Sequence, residues 1–192
     1  MGTTQPIRTK EELKKFTDYY KVNKNNPRNY ALIVFGLHTA LRISDILEIK
    51  WKDVYDFEQQ SFHKYLGLKE RKTGKYVNIA LNPHIIEALS VWMDQISPEP
   101  EHCLFCKKTM PYDPLSRSQA YRIVKEASEN VLHKPNISCH SLRKTFGYHA
   151  WKQGTQPALL IDIFNHSSYQ ITKRYLGIGQ DEKDSVYMNI DL

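Results

Sequence analysis

Six side chains in this sequence are of the types that phosphoryl transfer by a side-chain hydroxyl needs: Arg42, Lys72, His140, Arg143, His166 and Tyr175. Displacement at a phosphodiester gathers negative charge on the equatorial oxygens of phosphorus. Two guanidiniums can hold those oxygens with paired N–H donors and keep their charge at any working pH. A tyrosine hydroxyl ionises near pH 10 and must be positioned and deprotonated before it attacks. An imidazole, with its pKa near neutrality, can take that proton. The departing sugar oxygen needs a proton in return, which a lysine can supply. With this much positive charge from side chains, the chemistry calls for no metal and no cofactor.

Each residue also has a plain reading. Arg42 could pair with Asp45 at helical spacing, and Lys72 could be a solvated turn charge. His140 and His166 could be satisfied buried histidines, and Tyr175 a half-buried helix residue. Taken singly, none carries a function.

The elements that must deliver these groups can be read from local signals. Thr9 with Glu12 forms a capping box ahead of Leu13, Phe16 and Tyr20, and Asn26-Pro27 opens a long apolar helix through Leu41. A new cap at Ser44 places Arg42 at the junction of two helical segments. Residues 62 to 81 alternate with period two, interrupted by the polar stretch 70–74. They predict a hairpin with Lys72 near its turn, extended by a third strand around Val54 to Phe57. Further helices open at Asn82-Pro83, Ser116, Ser138, Pro157 and Ser167 or Ser168. Ser97 to Leu115 reads as a proline-rich loop. His140 and Arg143, three apart, share a helix face. The expected class is mainly α (α+β), a helical domain with one small three-stranded antiparallel sheet.

Composition sets the frame. The chain has 192 residues, room for one domain with short tails. Lys plus Arg exceed Asp plus Glu by 27 to 21, with a sequence pI near 9.1, which permits a polyanionic partner without requiring one. Three cysteines argue against a disulfide framework. No apolar run approaches the roughly 18 residues that span a bilayer, and the first ten residues lack a secretory core. A cytoplasmic protein with no membrane association is expected. Cys103 and Cys106 beside His102 invite a zinc reading, but a fourth ligand is wanting and Cys139 has no paired spacing, so they read as core and loop. The basic residues at 107, 108, 117, 122 and 125 suit either a phosphate-facing patch or a solvated helix face.

The order of the motifs decides among these readings. Thr39 to Leu47 (T-A-L-R-I-S-D-I-L) resembles the first-arginine motif of the tyrosine recombinases of phage integrase type, T-G-L-R-x-S-E-L. Lys72 to Lys75 (K-T-G-K) resembles their strand-turn lysine motif. His140 to Phe146 (H-S-L-R-K-T-F) is similar to H-x-L-R-H-T-F. Asn165 to Ser168, with Thr172 to Tyr175, resembles the L-G-H-x-S…T-x-x-Y ending. Asn165 stands where the family has glycine, and Lys144 replaces a histidine.

That resemblance implies a domain that cleaves and rejoins double-stranded DNA at a specific site. In it Arg42 and Arg143 bind the scissile phosphate and Lys72 acts as general acid. His140 accepts the tyrosine proton, His166 hydrogen-bonds the phosphate, and Tyr175 is the nucleophile. Asp45 matches an acidic position that supports the first arginine. The implied organisation is a tail at 1–8, a catalytic domain at 9–178 and a tail at 179–192 that docks on a neighbouring protomer or on its own domain. The implied assembly is a monomer when free and a homotetramer on DNA. A helical DNA-clamping domain usually precedes this domain in the family, whereas here about eight residues precede the first helix; the resemblance leaves open a piece of a longer protein or one of the short recombinases, such as those that invert fimbrial promoters, that lack the clamp. Two rivals stand beside this reading: a type IB topoisomerase-like relaxing activity, and a DNA-binding accessory module that does not cleave.

Overall fold

A computed structural model describes residues 4–107 and 109–191. In chain order these form α1 (Lys10–Asp18), α2 (Pro27–Thr39), α3 (Ile43–Ile46), β1 (Tyr55–Asp56), β2 (Ser61–Phe62), β3 (Tyr65–Lys69), β4 (Tyr76–Ala80) and α4 (Pro83–Met93). There follow β5 (Cys106–Lys107), β6 (Met110–Pro114), α5 (Arg117–Val131), α6 (Cys139–Lys152), α7 (Pro157–Phe164), α8 (Tyr169–Leu176) and α9 (Gly179–Asn189). The class is the expected one, mainly helical with small antiparallel ladders.

The helix starts follow local chemistry. The side chains of Thr9, Asn26, Asn82, Ser116 and Ser168 each accept the N–H three residues on. Each such cap is worth about 1 kcal/mol. α2 is buried on all sides from Asn29 to Leu37 and runs through the middle of the core, against α4 and α6. Gly36 makes the α2–α6 approach possible, since a Cβ there would fall 2.7 Å from a Leu142 methyl. A second apolar cluster, with Tyr148, Leu160, Phe164 and Leu176, joins α6, α7 and α8.

Four details depart from the sequence reading. α3 begins at Ile43 with Arg42 as its N-cap residue, so Ser44 lies inside the helix and caps nothing. The strand around Val54 to Phe57 does not extend the main hairpin: β1 pairs with β2 in a separate two-stranded ladder, while β3 pairs with β4. The turn between β1 and β2 is short enough for Asp56 to accept the N–H groups of Glu58 and Gln59, and it closes that ladder locally. The stretch 97–115 is not all loop, because β5 and β6 pair within it. The last residues hold a helix, α9, which leaves Val186, Tyr187, Met188 and Ile190 between 61% and 82% exposed.

The amino end is tied down. Ile7 is fully buried, and its N–H donates to Thr145 Oγ1 at 2.9 Å. Arg8 donates to the Gly177 carbonyl at 2.9 Å. No helix among the described residues is long and apolar enough to cross a membrane.

Candidate active site

Arg42 is delivered by the break between α2 and α3. Ala40 ends α2 in the left-handed region at φ 55°, where the family's first-arginine motif has glycine. The kink turns the Ala40 carbonyl toward α6, where it accepts from Nη1 of Arg143. Arg143 also donates to the Phe164 carbonyl at 3.2 Å, and its guanidinium stacks 4.8 Å from the centre of the Phe164 ring. It is 4% exposed, so three elements fix its position.

The two arginines meet at a residue that was not anticipated. Glu70, 3% exposed, accepts from Arg42 Nη1 at 2.7 Å, and the same oxygen lies 3.7 Å from Arg143 Nη1. Its other oxygen accepts from Thr73 Oγ1 at 2.7 Å. Burial opposes ionisation of Glu70, but the Thr73 hydroxyl and the two guanidiniums outweigh it and hold the carboxyl below the ordinary range. The signal for this residue lay in the strand parity. Leu66 and Leu68 of β3 face inward, and continuing the period of two puts position 70 on the same face.

Lys72 is exposed in the turn between β3 and β4, as the sequence implied. That turn is held on several sides. Asp45, buried at the first turn of α3, accepts the Arg71 N–H at 3.2 Å, and Arg71 pairs with Glu48 at 2.5 Å. Lys75 pairs with Asp162 of α7 at 2.6 Å. The acidic partner of Arg42 is therefore Glu70, whereas Asp45 is engaged with the lysine turn.

Arg42, Lys72 and His140 line one groove of about 420 Å³, together with Arg117 from the start of α5. His140 stands in the first turn of α6, which brings it beside the groove, while Arg143 one turn on points into the core. Burial, then the charges of Lys144, Arg143, Arg42 and Lys72, hold its imidazole below the ordinary value, so it is neutral at pH 7. Of the other basic residues, Arg117 and Arg122 are exposed on α5. Lys107 pairs with Asp113 and Lys125 with Glu129, and Lys108 lies outside the described residues.

Tyr175 occupies the last turn of α8, which Ser168 opens and Gly177 closes at φ 70°. Its ring is half-buried, 5.5 Å from Phe164 and 5.2 Å edge-on from His166. Burial raises its pKa, opposed by the charges of Arg143 and Arg42 and by a hydrogen bond with Arg143. His166 is oriented by Thr172, with Nδ1 3.0 Å from its hydroxyl, and burial lowers its pKa too. Asn165 ends α7 at φ 50° and ψ 50°. This explains a family glycine there, and asparagine is the residue that tolerates this conformation next best.

Cys103, Cys106 and Cys139 are free thiols. Cys103 donates to the Tyr112 carbonyl at 3.1 Å and His102 Nδ1 accepts the Glu99 N–H at 3.0 Å, so both are engaged in loop packing.

A tyrosine ring set against His166, and two arginines that share the Glu70 carboxylate beside a cationic groove, make up the candidate site. Residues 7–181 match the phage integrase family, and the chain belongs to it. It is by that membership an enzyme, a DNA strand transferase. Among relatives, a protein described as a probable integrase/recombinase, YoeC of Bacillus subtilis (strain 168), is 38% identical over 187 residues, 97% of each chain. The tyrosine recombinase XerD of Staphylococcus saprophyticus is 23% identical over 175 residues, covering 87% of this chain and 55% of XerD. A solved structure of XerH bound to palindromic difH substrate, a post-cleavage complex, superposes with a TM-score of 0.73 at 21% identity, over 98% of this chain and 54% of that one. The chain thus spans nearly all of YoeC and little more than half of the Xer proteins.

Proposed function

We propose that this chain is a site-specific recombinase that cuts and rejoins double-stranded DNA through a 3′-phosphotyrosyl bond at Tyr175, in the cytoplasm and without metal. In this reading Arg42 and Arg143 hold the non-bridging oxygens of the scissile phosphate. The Tyr175 oxygen attacks phosphorus as its proton passes to His140, and His166 hydrogen-bonds the phosphate. The bond from phosphorus to the 5′ oxygen breaks, and Lys72 protonates that oxygen. Attack by the 5′ hydroxyl of a second strand reverses each step and releases the tyrosine, so no energy source is consumed. Asp45 supports the site by holding the turn that carries Lys72.

The observation that carries this reading is the packing of the Tyr175 ring against His166 and against Phe164, whose carbonyl Arg143 holds, while Arg143 shares the Glu70 carboxylate with Arg42. The neutral state of both histidines supports their place as proton acceptor and hydrogen-bond partner. The exposure of Val186, Tyr187, Met188 and Ile190 at the end of α9 supports a free monomer whose tail docks on a neighbour in a DNA-bound tetramer, since none of the described residues covers them.

The test is to incubate the protein with nicked duplexes tiled across the DNA flanking its gene, and to look for a covalent adduct on denaturing gels. The native chain is expected to form one and Tyr175→Phe none. An adduct that persists in Tyr175→Phe would refute the nucleophile, and no adduct on any tile would refute cleavage of flanking DNA. Relaxation of plasmids lacking those sites would favour the topoisomerase-like activity.

A further inference from the structure

We infer that Glu70 is a positioning residue for phosphate binding, setting the Arg42 guanidinium beside that of Arg143 from behind. This rests on the recombinase reading above. The carboxylate bonds Arg42 at 2.7 Å and lies 3.7 Å from Arg143 through a single oxygen, while Thr73 fixes the other oxygen at 2.7 Å. Two like charges drawn together for one phosphate repel each other in a site with little water. An anion between them offsets that repulsion before DNA arrives and leaves most of the five donors of Arg42 unused, while Arg143 is held besides by the Ala40 and Phe164 carbonyls.

The side from which Glu70 reaches them distinguishes support from blockade. It does not line the groove formed by Arg42, Lys72 and His140. It borders, together with Arg143, a separate cavity of about 210 Å³ between the hairpin and α7. A phosphate entering the groove meets Arg42 with the carboxylate already at its back. An acid acting as a phosphate mimic would occupy the groove itself.

The experiment uses the full chain and the nicked duplex that yields an adduct with the native protein. Glu70→Gln keeps the shape of the side chain and removes its charge. It is expected to bind that duplex as tightly as the native chain or up to several-fold tighter, while the adduct-forming rate of the bound complex falls ten- to hundred-fold. A duplex with sulfur at the 5′ leaving position should restore Lys72→Ala and leave Glu70→Gln slow, because the defect lies at the arginines and not at the acid. A bound-state rate within three-fold of native, or faster than native, would overturn the inference. So would restoration by the sulfur substrate, or equal losses of binding and cleavage, which a merely structural residue would give. If Glu70→Gln does not fold, Thr73→Val, which leaves the carboxylate but removes its second anchor, carries the test. A three- to ten-fold drop in the bound-state rate is then expected, and no drop overturns the inference. Failure of the native chain to form any adduct would instead strike at the recombinase reading, and the inference with it.

Discussion

The ammonium of Lys144 lies 5.1 Å from the centre of the Tyr175 ring, and the same nitrogen donates to the Thr4 carbonyl at 2.7 Å. A cation on an aromatic face is worth about 0.5–2 kcal/mol, and the attraction grows as phenol becomes phenolate. Lys144→Met should therefore slow adduct formation about 2- to 10-fold at neutral pH, with a smaller effect at higher pH where deprotonation is easier. Single-turnover rates measure this, and equal rates at every pH would remove Lys144 from the chemistry.

The histidines make a pH prediction with a definite sign. Both His140 and His166 are held below the ordinary imidazole value, by burial first and then by nearby cations. Well above pH 6.5 both are neutral in the folded and unfolded chain, and stability does not depend on them. As pH falls below about 6.5 the unfolded chain binds protons first, so this share of stability is lost progressively until the folded-state values are passed. Thermal melts across this window should show the decline, and His140→Gln should flatten part of it. Cleavage should persist to pH values below 6.5 before it drops, because the acceptor is still neutral there. A rate limb centred above 6.5 would contradict this assignment.

Lys72 carries the sharpest chemical prediction. Loss of a general acid costs about 10²- to 10⁴-fold, so Lys72→Ala should cleave ordinary DNA that much more slowly. With sulfur at the 5′ leaving position, a group that departs without a proton, most of the rate should return. Lys69→Ala and Lys75→Ala should keep native rates to within a few-fold. Rescue of one of those two in place of Lys72 would move the acid along the hairpin.

Asn165 predicts a stability difference. It is exposed and holds a left-handed conformation at φ 50°. A Cβ without a local polar group costs about 1–2 kcal/mol there, so Asn165→Ala should lower stability by about 1 kcal/mol and Asn165→Gly should leave it level or higher. Urea unfolding of the three chains decides it, since an alanine variant as stable as the glycine one would show that this backbone is not strained.

Much of the scaffold was written in short-range chemistry. Thr9, Asn26, Asn82, Ser116 and Ser168 announce their helices because one side-chain oxygen reaches an N–H three residues away. The break at Ala40 was less visible, since alanine gives no local sign of a positive φ. The pairing of β1 was missed because a two-residue strand has no pattern of its own. For the site, spacing alone could place only His140 and Arg143 together; the other four residues converge through tertiary packing, and their motif order was what suggested it. Glu70 was legible in principle from the inward parity of Leu66 and Leu68, but a charged residue beside a turn reads as solvated until its partners are known.

The amino end crosses α6 and grips the terminus of α8, through Ile7 on Thr145 and Arg8 on Gly177. Tyr175 thus sits in the last turn of a helix whose adjacent terminus is held by Arg8, from the first residues of the described chain. Protease trimming past residue 8 would remove both contacts and loosen Tyr175, the proposed nucleophile, without deleting any residue of the site. Inactive preparations should first be checked by mass spectrometry for an intact amino end.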